Sequence, residues 1–145
     1  MRLRHAQRGG TTVEFAIVSV LTLMLMFAIV DFGRALYTYH LVSNAAREAT
    51  RYAIVRGSTC GTGCTASATD IQTYVRGISP AVDTTQLNVT TTWSANSGTG
   101  CTQSPYQTPG CIVTVQVAYT YNFISTLVPS VALPMVSTSQ MFISQ

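Results

Sequence analysis

Residues 15–30, Phe-Ala-Ile-Val-Ser-Val-Leu-Thr-Leu-Met-Leu-Met-Phe-Ala-Ile-Val, constrain this chain more than any other feature. The run holds no charge, and its only polar members are Ser19 and Thr22. Glu14 heads it and Asp31 ends it. With Val13 it reaches roughly the 17 residues that a membrane-spanning helix needs. Arg2, Arg4 and Arg8 precede it with no acid among the first nine residues, which is the pattern of a cytoplasmic flank. A secretory signal peptide has a similar outline. Against that reading, Glu14 places a charge at the head of the run, and Ala28-Ile29-Val30 and Gly33-Arg34-Ala35 are poor small-x-small cleavage sites.

Helix-compatible sequence continues past the run. Phe32, Ala35, Leu36, Tyr39, Val42, Ala46, Ala49, Ala53 and Ile54 recur at steps of three and four and mark one helical face. Arg34, Asn44, Arg47, Glu48 and Arg51 populate the other side. Gly57 offers a stop. A single helix from Thr12 to Arg56 is expected, roughly 67 Å long, with its first half in a bilayer and its second half packed on a domain outside it. Asp31 and Arg34, three apart, are expected to pair on the helix surface at the far membrane edge.

The charge distribution narrows the function classes. All eight basic residues are arginine, and five acids oppose them. From Gly10 onward five arginines face five acids, so the net charge of +3 belongs to the N-terminal tip. No basic patch remains for a nucleic acid. Charged residues make up 9% of the chain, against roughly 25% in an average globular domain.

Four cysteines fall in two close pairs, Cys60 with Cys64 and Cys101 with Cys111. An even count in an exported chain points to disulfides. Three connectivities are possible, and the sequence-local one is favoured. A four-thiolate zinc site needs two to four residues within each pair, and nine separate Cys101 from Cys111. A redox Cys-x-x-Cys is absent from the sequence.

The remainder is expected to be a small extracytoplasmic domain. Residues 70–77 suit a short helix, with Asp70 near the start and Gly77 as the stop. Residues 87–93 and 112–121 alternate as strands, and 135–144 suit a third. Residues 94–111 form a Gly/Pro/Ser/Thr loop, and a segment from Pro129 to Pro134 links the later strands. The expected fold class is α+β: a long N-terminal helix packed on a three- to four-stranded antiparallel sheet, with one short extra helix. Trp93 is expected in the core. Tyr37, Tyr39 and Tyr119 suit either core or an interfacial belt.

No catalytic constellation is visible. There is no phosphate loop, nucleophile elbow or acid pair. His5 lies in the basic tip, and His40 stands on the helix without a neighbouring cysteine or acid cluster. Asn88-Val89-Thr90 matches a glycosylation acceptor but is a short motif in a chain of bacterial character. No enzyme, metal or cofactor is expected.

The N-terminus carries a resemblance. Arg8-Gly9-Gly10, then Thr11-Thr12-Val13-Glu14-Phe15 and an apolar helix, resembles a type IV prepilin cleavage region. Val13-Glu14-Phe15-Ala16, Asp31-Phe32-Gly33-Arg34-Ala35, Asn44-Ala45-Ala46-Arg47-Glu48-Ala49 and Arg51-Tyr52-Ala53 look like the TadE family. Its members are minor pilins or pseudopilins of the tight-adherence (Tad/Flp) pilus. In prepilins the cut follows a glycine and a glutamate is the fifth mature residue. The resemblance therefore implies cleavage between Gly9 and Gly10 by a prepilin peptidase.

It further implies a leader at 1–9, an assembly helix at 10–34 and an extracytoplasmic domain at 35–145. The new ammonium and Glu14 would lie about one helical turn apart, and an ammonium can neutralise a carboxylate that is costly at a bilayer edge. Partners implied are the peptidase, other Tad pilins or pseudopilins, the inner-membrane assembly platform and the lipid bilayer. The alternatives are a permanently anchored binding or sensing module, and a secreted hydrolase with an atypical signal peptide.

Overall fold

The computed structural model describes residues 8–96, 101, 106–123 and 132–144. Residues 1–7 of the basic tip, 97–100 and 102–105 of the 94–111 loop and 129–131 of the linker lie outside that set. The elements in chain order are α1 (Arg8–Ile54), α2 (Ala68–Ile78), β1 (Leu87–Ser94), β2 (Ile112–Asn122) and β3 (Ala132–Phe142). The architecture is α+β, as the residue patterns suggest.

Helix α1 has 47 residues, which makes it about 70 Å long. It begins four residues before Thr12 and runs through Gly9 and Gly10. Extending an existing helix adds one hydrogen bond per residue fixed, so two glycines do not stop it. Three threonines in α1 turn their hydroxyls back on the helix: Thr22 donates to the Val18 carbonyl, Thr38 to Arg34 and Thr50 to Ala46. Each polar side chain is thereby satisfied without a partner from solvent.

The second half of α1 packs on the sheet through small residues. Ala45, Ala46, Ala49 and Ala53, with Val42, are buried against Val113, Val115 and Val117 of β2. Alanine brings the helix backbone close to the sheet, and the volume is filled from the other side by Leu87, Ile143, and Ile71 and Val75 of α2. A smaller cluster of Ala35, Tyr121 and Met135 closes the end of the sheet nearest the apolar run.

The three strands lie in the order β1-β2-β3, all antiparallel. Leu87 faces Tyr119 and Trp93 faces Val113 across β1 and β2. Met135 faces Tyr119 and Met141 faces Val113 across β2 and β3. Trp93 is half-buried at the rim of the core. Strand β3 starts at Ala132, three residues before Met135, and takes in Pro134 opposite Thr120. Proline is tolerated there because β3 is an edge strand, where a missing N–H need not break the ladder.

β3 also runs alongside α1. Met135 packs by Ala35, the Thr50 hydroxyl reaches the Ser139 carbonyl at 3.4 Å, and the Ser144 N–H and hydroxyl both donate to the Ile54 carbonyl at 3.1 Å. Nineteen helical steps cover roughly 29 Å, and nine strand steps cover roughly 31 Å. The two elements therefore keep pace. The Ser144 bonds also satisfy one of the carbonyls left open at a helix C-terminus.

Helix α2 starts earlier than its acid suggests. Ser67 is the N-cap: its hydroxyl accepts from the Asp70 N–H at 3.2 Å, and Asp70 accepts from the Ser67 N–H at 2.9 Å. This is a capping box, in which Asp70 is the third helical residue and not the first. Tyr74 of α2 stacks on Tyr52 of α1 at 4.2 Å, and the Arg56 guanidinium lies 3.8 Å over the Tyr52 ring.

The cysteines pair within each sequence neighbourhood. Cys60 bonds to Cys64 in the loop after α1, with 5.7 Å between their Cα atoms. Cys101 bonds to Cys111, with Cα atoms 5.1 Å apart, and closes the connection between β1 and β2. Both Cys101 and Cys111 are buried in the core.

Candidate functional site

The first half of α1 is the feature that an ordinary water-soluble fold does not account for. Val13, Phe15, Ile17, Val18, Val20, Leu21, Leu23, Leu25, Phe27 and Ile29 are all more than half exposed. They point in every direction around the helix, so no single amphipathic face is left for water. A contiguous apolar surface of this kind marks contact with a membrane or with other apolar helices. The helix Gly10–Ile54 is long and apolar enough to cross a membrane, and the rest of the chain buries none of its most apolar stretch.

Glu14 stands at the head of this surface. It is exposed, and among the described residues it forms no ion pair or hydrogen bond. Gly9 and Gly10 lie in the first turn of α1, where N–H groups have no carbonyl partner within the helix. A Cβ placed on Gly10 would meet nothing within 4 Å. Gly10 and Glu14 are four residues apart, which places them on the same helical face about 6 Å along the axis.

Asp31 and Arg34 do not form the expected surface pair. Asp31 is buried at 6% exposure, beneath the end of the sheet, and its backbone carbonyl accepts from the Tyr121 hydroxyl at 3.3 Å. Arg34 lies on the exposed side. The sheet pulls the acid inward while the arginine, most of a turn further on, stays outside. Among the described residues the ion pair is Arg51 with Glu48, at 3.2 Å on an exposed surface, an arrangement of little energetic weight.

A groove between α1 and α2 gathers polar side chains whose grouping is not evident from a lone histidine. His40, Asn44 and Glu48 are spaced at fours along α1 and share this groove with Tyr74 and Ser79. That fourfold spacing is the signal in the sequence that brings them together. The Ser79 hydroxyl is buried and has no hydrogen-bond partner among the described residues. No hydrogen bond joins it to His40, whose ring instead meets Tyr39 edge-on at 6.0 Å. A serine activated for acyl transfer needs its base within hydrogen-bond reach, and this groove lacks that contact. Among the described residues no cluster of three His, Cys, Asp or Glu could hold a metal ion.

Asp70 and Asp83 are held below their ordinary value of 3.8. The Ser67 hydroxyl, then the Ser67 N–H, stabilises the Asp70 carboxylate. The Thr85 hydroxyl and N–H do the same for Asp83, at 2.7 Å and 2.9 Å. Both are fastenings of local structure and not poised proton donors.

The geometry thus leaves one place of functional interest, the unburied apolar helix with a carboxylate at its head. No curated protein and no solved structure matches the chain. Residues 9–51, under a third of the chain, match the family model described as TadE-like protein, so the long helix is similar to that family over most of its length.

Proposed function

We propose that this protein is a non-catalytic minor pilin or pseudopilin of a Tad-type pilus, and that it joins other pilins through residues 10–34. The observation that carries this reading is Glu14, exposed and without a partner among the described residues, at the head of a helix whose apolar surface no described residue buries. A carboxylate in that position is costly until an ammonium neutralises it. In this reading a prepilin peptidase cuts between Gly9 and Gly10, and the ammonium of Gly10, or of a neighbouring copy, becomes that partner. The N-terminus stays cytoplasmic in the inner membrane, and residues 35–145 fold outside, where the two disulfides are stable.

The test is the N-terminus and intact mass of the protein from its native membrane, with and without the peptidase. A mature chain starting at Gly10 only when the peptidase is present is the expected result. Gly9→Leu should hold the protein at precursor mass. Glu14→Ala should leave the outer domain folded and reduce pilus assembly at least about tenfold, the equivalent of losing one neutralised charge worth about 1.4 kcal/mol or more. Full-length protein in both strains would instead favour a permanently anchored module.

A further inference from the structure

The apolar surface of α1 does not stop at Asp31. It turns onto the sheet, where Phe32, Leu36 and Tyr39 of α1 and Leu133, Pro134 and Val136 of β3 line one open groove. Phe32 is 64% exposed and Val136 is 51% exposed. We propose that this groove is seated in the outer leaflet of the bilayer, so that the end of the sheet is an interfacial membrane anchor. The inference rests on α1 spanning the membrane.

Three observations select lipid as the occupant. The first is length. The uncharged run 15–30 covers about 24 Å, and a hydrocarbon core is about 30 Å thick. The shortfall of about 6 Å falls at the level where the helix carries Phe32 and Leu36 and the sheet begins alongside it.

The second is charge. No Asp, Glu, Lys, Arg or His follows Asp83 in the chain, so all three strands are uncharged. Asp31, the one acid at this level, is buried, and its backbone carbonyl accepts from the Tyr121 hydroxyl, so it adds no exposed charge beside the groove. Arg34 is the exposed ionisable group beside Phe32. A guanidinium there extends to headgroup phosphates while its stem lies along apolar surface.

The third is continuity. The groove adjoins the exposed apolar stretch of the same helix with no polar break on its side, because Gly33 is bare and Asp31 is covered. Tyr39 closes it with a ring suited to the interface, apolar in body and polar at the tip.

The chain has one tryptophan, Trp93, near the opposite end of the sheet: it lies opposite Val113 and Met141, five residues along β3 from Val136. That distance is about 17 Å. The test uses full-length protein in phosphatidylcholine bilayers with bromines at defined acyl depths. Trp93 is read in the native chain. Trp93→Phe chains carry a new tryptophan by Val136→Trp, Leu133→Trp or Leu23→Trp.

The expected result is that both β3 reporters lose about half their emission to bromines near the top of the chains, within the 5–10 Å reached by an interfacial apolar face. Trp93 should be unquenched, and Leu23→Trp should be quenched most by deep bromines. If Leu23→Trp is quenched while both β3 reporters behave like Trp93, the interfacial seat is wrong and the span stands. If Leu23→Trp is unquenched, the span itself fails and the proposal falls with it. Blue-shifted but unquenched β3 reporters that respond to protein dilution would mean that a second copy covers the groove, which also overturns it.

Discussion

The two halves of α1 are one continuous helix in two different solvents. Residues 13–30 carry large side chains on all sides, and none is buried by the described residues of the chain. Residues 35–54 meet the sheet mainly through alanine, with Val42 and Thr50 among the buried residues of that face. The usual order is reversed, since the bulky residues are outside and the small ones inside. A helix that is apolar all round needs an apolar surrounding. A helix against a sheet needs close approach, and large residues from the sheet then fill the space. Hydrophobicity alone does not separate the halves; side-chain size and its distribution around the helix do.

Placing one charge in each half is the sharpest way to break this comparison. Ala46→Arg puts an unpaired cation at a fully buried position and should cost several kcal/mol, enough to unfold the outer domain. Thermal melting followed by near-ultraviolet circular dichroism reads it. Leu23→Arg should leave that melting transition unchanged and weaken membrane retention by about 3 kcal/mol. Equal effects on domain melting would mean that the halves are not energetically separate.

The disulfides sharpen the comparison on the domain side. In the loop-entropy picture the Cys101–Cys111 ring should contribute about 3 kcal/mol and the shorter Cys60–Cys64 ring about 2 kcal/mol. Replacing both members of each pair with serine should show a larger gap than this, because Cys101 and Cys111 are also buried while the other pair is not. Urea midpoints of the two double variants give the ranking, and neither should alter insertion of the first half.

The smallest expected effect concerns the Ser67 cap. Ser67→Ala should cost about 1 kcal/mol at neutral pH. Asp70 is held below 3.8 in the folded protein, so its contribution is fully present above that value and fades as pH falls through the lowered one. The difference between wild type and Ser67→Ala should therefore narrow below pH 3.8. A constant difference down to pH 2 would separate the cap from the carboxylate.

What could be read in advance was local. Steps of three and four from Phe32 to Ile54 announce the helix, and alternation from Ile112 to Tyr121 announces the central strand. Glu14 at the head of the apolar run is equally local. The misreadings came where a distant segment decides. Pro134 reads as a linker until β3 is known to be an edge strand. The start of α2 is the exception, because Ser67, only three residues before Asp70, caps it and the signal was local. Asp31 reads as a surface partner of Arg34 because nothing in its neighbourhood announces Tyr121, ninety residues on. The groove beside Phe32 is hidden for the same reason, since half of it belongs to β3.

The matched lengths of α1 and β3 have a mechanical consequence. β3 and the residues just after it hold the helix near Ala35, Thr50 and Ile54, at successive levels along its axis. A pull on the N-terminal half, with the outer domain held, loads these contacts in shear along the helix axis. They must then give way together and cannot be unzipped one at a time. A domain clasped in this way can transmit tension to its own anchor without first peeling from it.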